Sequence, residues 1–438
     1  MNGERGSPPP TLPRELGVFG ATMMGLGAIV GTGVFVSIGV AAGIAGPAVV
    51  VAIAAAAGVA ACNALSSAQL AASHPVSGGS YEYGYEYLGP AAGFSAGWMF
   101  LCAKSASAAT AALGFAGYLL HALGFAVGGR LALVAVAVAA VGVLTLLVLS
   151  GMRRSNAVNV TIVAVTLASL LAFAAAGLPL ALSEGAAHLG RFDGTRAATD
   201  FWPALLRATA LMFVAFTGYG RIATLGEEVR EPRRTIPRAI VSTLLVSMAL
   251  YVVVAAVAVA AVGAETLGSV TRQQAAPLEA AAARFPWSGV RWVVAVGAMT
   301  AMLGVLLNLV LGLSRVLLAM GRRRDVPRPL GRLDPSGTTP RVAVVVVGLA
   351  VAALALLGDV ETTWSFSAFT VLVYYAITNL AALAMPAERR LYPRWVAALG
   401  LVACSSLAFW VEWRIWLSGL GLLAAGLVWH AVARRRRR

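Results

Sequence analysis

The feature that most constrains this chain is the recurrence of apolar stretches long enough to cross a bilayer. Twelve such stretches are read, near residues 17–45, 47–73, 90–120, 131–150, 156–178, 202–223, 237–262, 290–320, 340–357, 363–384, 394–411 and 414–433. About 20 helical residues cross roughly 30 Å of hydrocarbon. Inside hydrocarbon every backbone polar group needs an internal partner, which leaves only helices and closed barrels. Barrel strands alternate over about ten residues, and these runs do not alternate. The expected fold is therefore an all-α polytopic membrane protein of 12 transmembrane helices. Composition agrees: 59% of the 438 residues are hydrophobic and 12% charged. So few charges cannot coat a soluble globule of this size, and so much apolar surface is the opposite of a disordered chain.

The formal charge of +15 raises the question of nucleic acid. A nucleic-acid binder gathers its basic residues on one face. Here they sit in short loops between apolar stretches, so no nucleic-acid partner is expected. With the N-terminus placed in the cytoplasm, 22 arginines fall in cytoplasmic segments and 8 on the opposite side. By the positive-inside rule both termini face the cytoplasm of a cytoplasmic (inner) membrane. The terminal run Arg434 to Arg438 fits contact with anionic lipid. Cys62, Cys102 and Cys404 lie in apolar runs and read as small buried hydrophobes. The four histidines have no ligand partners at useful spacing, so no metal and no cofactor is expected. The polar first 16 residues and the long apolar run behind them do not read as a signal peptide.

Two spans carry paired glycines near their middles. The first has Gly31-Thr32-Gly33 and the sixth Gly218-Tyr219-Gly220. Glycine weakens a helix by about 1 kcal/mol relative to alanine, and open backbone at membrane depth is tolerated only where it lines a cavity. Breaks five spans apart fit two inverted repeats, a transporter arrangement; close helix packing is the other reading of such pairs. The expected division is a tail 1–16, a first repeat 17–178, an extracytoplasmic loop 179–201, a second repeat 202–384, two further helices in 385–433 and a basic tail 434–438. Free N–H groups behind Gly33 suit a carboxylate. Free carbonyls near Thr217 suit an ammonium group. A molecule carrying both on one carbon, an α-amino acid, satisfies both ends.

With these residues in hand, the chain resembles the amino acid–polyamine–organocation superfamily of permeases, and among them the bacterial cationic-amino-acid-transporter-like type. The resemblance spans roughly residues 15–430. It rests on Gly27 to Phe35, Pro75-Val-Ser-Gly-Gly-Ser-Tyr81, Leu88-Gly-Pro90, Gly97-Trp98, Phe213 to Ile240, Ser314-Arg315 and Thr339-Pro340-Arg341. It implies a leucine-transporter-like core of 5+5 inverted repeats with two C-terminal helices, and amino acid transport by alternating access. Carried over residue by residue, it implies substrate contacts at Ile29, Gly31, Thr32 and Gly33 for a carboxylate. It implies carbonyls of Val214, Ala215 and Thr217 for an amine, with Phe216 beside them as an aromatic gate or a packed ring. Where proton-coupled relatives carry a span-5 lysine this chain has Thr166. Where sodium-coupled relatives carry span-8 hydroxyls it has Leu303 and Gly304.

Lys104, the sole lysine, lies midway along span 3. A charge there costs at least about 2.5–3.5 kcal/mol unless solvated or paired. Two readings stand: a coupling group replacing the missing span-5 lysine, or an ammonium snorkelling into a water-filled vestibule. Arg221 follows the second break by one residue and reads as a gate candidate, latching to Glu227 or Glu228, or as a lining of the exit path. No nucleophile, base or metal constellation lies within the spans, so no enzyme is expected. The functional expectation is a secondary transporter of an amino acid, with protons as the candidate coupling ion. A receptor or exchanger of transporter ancestry, without ion coupling, is the alternative. With no carboxylate in the pocket, a neutral amino acid is favoured.

Overall fold

The computed structural model describes residues 16–74, 78–125, 130–151, 156–189, 198–223, 229–334 and 339–435. Among them the chain is helical, apart from turns and one bridge between Leu16 and Val229. In order the α-helices are α1 (Val18–Ile29), α2 (Ile38–Ala45), α3 (Val49–Ser73), α4 (Ser80–Tyr87), α5 (Pro90–Ala122) and α6 (Arg130–Leu149). Next come α7 (Asn156–Leu189), α8 (Ala198–Phe216), α9 (Gly220–Ala223), α10 (Pro232–Val262), α11 (Ala264–Gln274) and α12 (Pro277–Ala282). The last are α13 (Val290–Arg322), α14 (Arg341–Leu357), α15 (Val360–Ala384), α16 (Arg394–Leu407) and α17 (Trp413–Arg435). Nine described segments are long and apolar enough to cross a membrane, one of them the continuous stretch Gly33–Ser73. The shorter apolar helices are Val18–Ile29, Arg341–Leu357 and Arg394–Trp410. The molecule is a polytopic membrane protein.

Two faces of the bundle show why these sequences pack as they do. Leu131 and Leu146 on α6, Leu171 and Leu182 on α7, and Val428 on α17 are exposed. That would be a defect in water and is the normal surface in lipid. Inside, α5 buries Ala106, Ala108, Ala109, Ala111, Ala112 and Gly114 in a nearly unbroken run. Small side chains let helix backbones approach closely where hydrophobic burial gives no net drive. Accordingly α5 is central and packs against α13 and α15, while α10 packs against α3 and α7. The boundaries are chemically marked. Gly46 takes φ +65° before Pro47 and so separates α2 from α3. Asp359 caps α15 by accepting a 2.7 Å hydrogen bond from the Thr362 N–H, a contact worth about 1 kcal/mol.

Three helices go beyond the sequence reading. α4 lies between α3 and α5, and α11 and α12 lie between α10 and α13. These stretches are too short and too polar to register as spans.

Candidate functional site

α1 stops in the middle of an apolar stretch. Val30 turns out of the helix at φ −79°, ψ 100°, its N–H still donating to the Leu26 carbonyl at 2.7 Å. The chain resumes at Thr32 and passes through a wide π-helical turn, Gly33–Ser37, into α2. The Val34 and Phe35 N–H groups both donate to the Gly31 carbonyl at 3.1 Å. Among the described residues the N–H of Gly31, in the gap between the two helices, has no backbone acceptor. The Thr32 hydroxyl is buried and has no hydrogen-bond partner. Two polar groups at one helix start, the Gly31 N–H and the Thr32 hydroxyl, are therefore unspent, and the partial positive charge of that start favours an anion.

The second break has a different form. α8 ends at Phe216 and tightens into a single 3-10 turn, Thr217–Tyr219, before α9. Its carbonyls do not stand open; hydroxyls take them up. Thr217 Oγ1 donates to the Val214 carbonyl at 2.7 Å. The Tyr375 hydroxyl donates to the Thr217 carbonyl at 3.3 Å. Tyr251 of α10 donates to the Ile29 carbonyl at 2.8 Å and lies 3.4 Å from that of Ala215. One phenol thus spans the ends of both broken helices. Phe216 is fully buried, with its ring 5.1 Å from that of Tyr251.

The two breaks touch. A Cβ on Gly33 would come within 2.5 Å of Ala215 Cβ, and one on Gly218 would meet the Ala28 backbone. At both positions two backbones cross so closely that there is no room for a side chain. Ile29, Gly31, Thr32 and Gly33 therefore lie together with Val214, Ala215, Phe216 and Thr217.

Lys104 reaches the same point. Its Nζ donates to Thr217 Oγ1 at 2.9 Å, and the residue is 8% exposed. Among the described residues no carboxylate lies within ion-pair distance of it. The ammonium contact is thus passed from Lys104 through the Thr217 hydroxyl to the Val214 carbonyl. Thr166 stands apart: it is buried and its hydroxyl donates to Ile162 of its own helix at 2.7 Å. Arg221 lies in α9 and is half-buried, while Glu227 and Glu228 fall outside the described residues. No group of three or more metal-ligating side chains occurs among the described residues. The arrangement can bind an anionic group at the start of the first break and offers a fixed cation beside the second.

Tyr251 and Tyr375 were not anticipated from the sequence. Each sits in an apolar run, where a tyrosine reads as a packed ring; only the hydroxyl positions reveal the role.

Comparison with known proteins adds to this geometry. A family model described as amino acid permease matches residues 20–435. An uncharacterised transporter of Mycobacterium tuberculosis is 42% identical over 430 residues, covering 97% of this chain and 92% of the relative. The branched-chain amino acid permease of Bacillus subtilis is 27% identical over 452 residues, covering 97% and 94%. The methylthioribose transporter of the same organism is 26% identical over 451 residues, covering 97% and 94%.

Proposed function

The chain belongs to the amino acid permease family, and on that premise we propose that it is a secondary transporter carrying a neutral amino acid across the cytoplasmic membrane by alternating access. Twelve spans cross the membrane in this reading, with 17–178 and 202–384 as inverted repeats and both termini in the cytoplasm. The observation that carries the proposal is the meeting of the two breaks, with the unspent Gly31 N–H and the free Thr32 hydroxyl on one side and the Val214–Thr217 backbone on the other. A carboxylate accepts from the first set. An amine displaces the tyrosine and threonine hydroxyls that now occupy the second. Such binding energy drives a conformational change only if the two states of the carrier bind the substrate differently. The breaks, being the joints of α1 and α8, are where that difference arises.

Substrate charge follows from the same geometry. The site holds a cation and no described carboxylate, so a cationic side chain gains no ion pair there. The resemblance to a branched-chain amino acid permease accords with a neutral substrate. Lys104 is the coupling group in this reading. Its contact with Thr217 places ammonium charge at the amine end of the site, where proton loss would relieve repulsion with an arriving substrate amine.

The test is counterflow in proteoliposomes with a panel of twenty amino acids, run with and without proton and sodium gradients. Exchange of small or branched neutral amino acids is expected. Binding without flux would replace the transporter reading with the receptor one, and exchange indifferent to both gradients would remove the ion coupling.

A further inference from the structure

A buried carboxyl lies at the other end of the bundle from the arginine-rich loops. α11 and α12 form an elbow between α10 and α13. α12 packs directly on the π-helical turn Gly33–Ser37, on α10 and on α13, and α11 packs on α2. The elbow is therefore a lid over the outer half of the first broken helix. Tyr118 of α5 lies beside it: its hydroxyl donates to the Phe35 carbonyl at 2.8 Å, and the backbone N–H groups of Leu278 and Glu279 are close to its oxygen. Gly39 of α2 lies against Thr271 and Pro277.

Glu279 points into this joint. The residue is 1% exposed, and neither carboxylate oxygen has a hydrogen-bond partner. His121 Nε2 is 3.9 Å from Oε1, an ion pair only when the imidazole is charged. The other charged groups at this end, on elements packed against α12, are Arg291 of α13 and Arg272 and Glu265 of α11, while Tyr251 of α10 lies deeper, on the carbonyls of the two breaks. The π-helical turn brings none. An ionised carboxylate with no donor is costly to bury, whereas a protonated one loses far less on leaving water.

We infer that Glu279 is a proton-binding site in the lid, filled from solvent when the lid shuts and emptied into solvent when it lifts. Burial pushes the Glu279 carboxyl up to about 7, with Arg291 acting in the opposite direction. In the lifted state the hydrated carboxyl titrates near the ordinary 4.3. Closure is thus unhindered below about pH 4 and is progressively disfavoured as pH rises to about 7. The inference uses the transporter reading only to say which side the lid faces.

The reporter is Thr271→Cys in a chain carrying Cys62→Ala, Cys102→Ala and Cys404→Ala. Thr271 is 2% exposed and becomes accessible only when α11 leaves α2. Labelling by a membrane-impermeant maleimide, corrected for the reagent's own pH dependence with an exposed-cysteine control, is compared at about pH 5.5 and about pH 8. Labelling should be about thirtyfold faster at the higher pH. Glu279→Gln should label slowly at both values, Glu279→Asp should retain a pH dependence, and His121→Gln should retain it too. A flat profile in the starting chain overturns the inference. So does an unchanged dependence in Glu279→Gln, or its disappearance in His121→Gln. Because labelling needs no transport, failure here leaves the substrate reading untouched.

Discussion

Tyr251 shows how much one hydroxyl can hold. It touches the last carbonyl of α1 and a carbonyl of α8's final turn. Removing one partner leaves a buried carbonyl unsatisfied, at a cost of about 1–3 kcal/mol. Tyr251→Phe keeps the ring on Phe216 and deletes only the hydroxyl. Initial uptake should fall by about tenfold, measured in proteoliposomes, with little change in the yield of monodisperse protein. Lys104 separates two effects. Lys104→Ala removes the cation from Thr217. If Lys104 is the coupling group, uptake driven by a pH gradient falls to the level seen without one, while counterflow persists. Unchanged gradient dependence would leave only the snorkelling reading. These two residues also differ in legibility. The sole lysine in an apolar run announces itself, because charge at that depth demands an explanation. A tyrosine in an apolar run demands none, and its function lies in which carbonyl its oxygen reaches.

At the scale of the element, the paired glycines marked both breaks, but their form depended on neighbours. The first opens through a bend and a π-helical turn; the second tightens into a 3-10 turn. Gly-Thr-Gly and Gly-Tyr-Gly carry similar local freedom, so the difference comes from what lies across: Ala215 against Gly33, Ala28 against Gly218. The lid helices were illegible for another reason, since 264–282 is too short and too polar for a span pattern. The crossing makes a quantitative claim. Gly33→Ala and Gly218→Ala each force two backbones apart, which costs about 1–3 kcal/mol as overpacking. Gly58, in the lipid-facing part of α3, has nothing within 4 Å of its Cβ position. Gly58→Ala should therefore gain up to about 1 kcal/mol from helix propensity. Thermal unfolding in detergent would show the first two below the parent and the third at or above it. Equal behaviour of all three would mean the breaks do not press on each other.

The whole molecule also depends on how its last helix is tied to the core, and apolar patterning says nothing about that. α17 exposes most of its length, so lipid-like packing alone fixes it weakly. Its end is held by Asp325, just beyond α13, which is buried. The hydroxyls of Tyr81 and Tyr85 on α4 both donate to Asp325 Oδ2, at 2.8 Å and 2.5 Å. His430 Nδ1 lies 3.6 Å from Oδ1, and Trp429 Nε1 donates to the Asp325 carbonyl at 2.8 Å. Arg323 stacks 4.6 Å over the Tyr85 ring and pairs with Glu82. Burial first, and the Asp325 hydrogen bond second, hold both phenols well above the ordinary tyrosine range. A raised phenol stabilises the fold below its free value of about 10 and loses that contribution only as pH climbs further, so both phenols remain donors throughout neutral pH. Asp325→Ala strands one buried and one half-buried phenol and should cost about 2–4 kcal/mol, read as a lowered midpoint in detergent. Tyr81→Phe with Tyr85→Phe removes the stranded donors, so adding Asp325→Ala to that pair should cost much less than Asp325→Ala alone. That non-additivity is the signature of a shared network. Additive losses would mean that α17 is held by its apolar contacts and that the polar knot at its end is incidental.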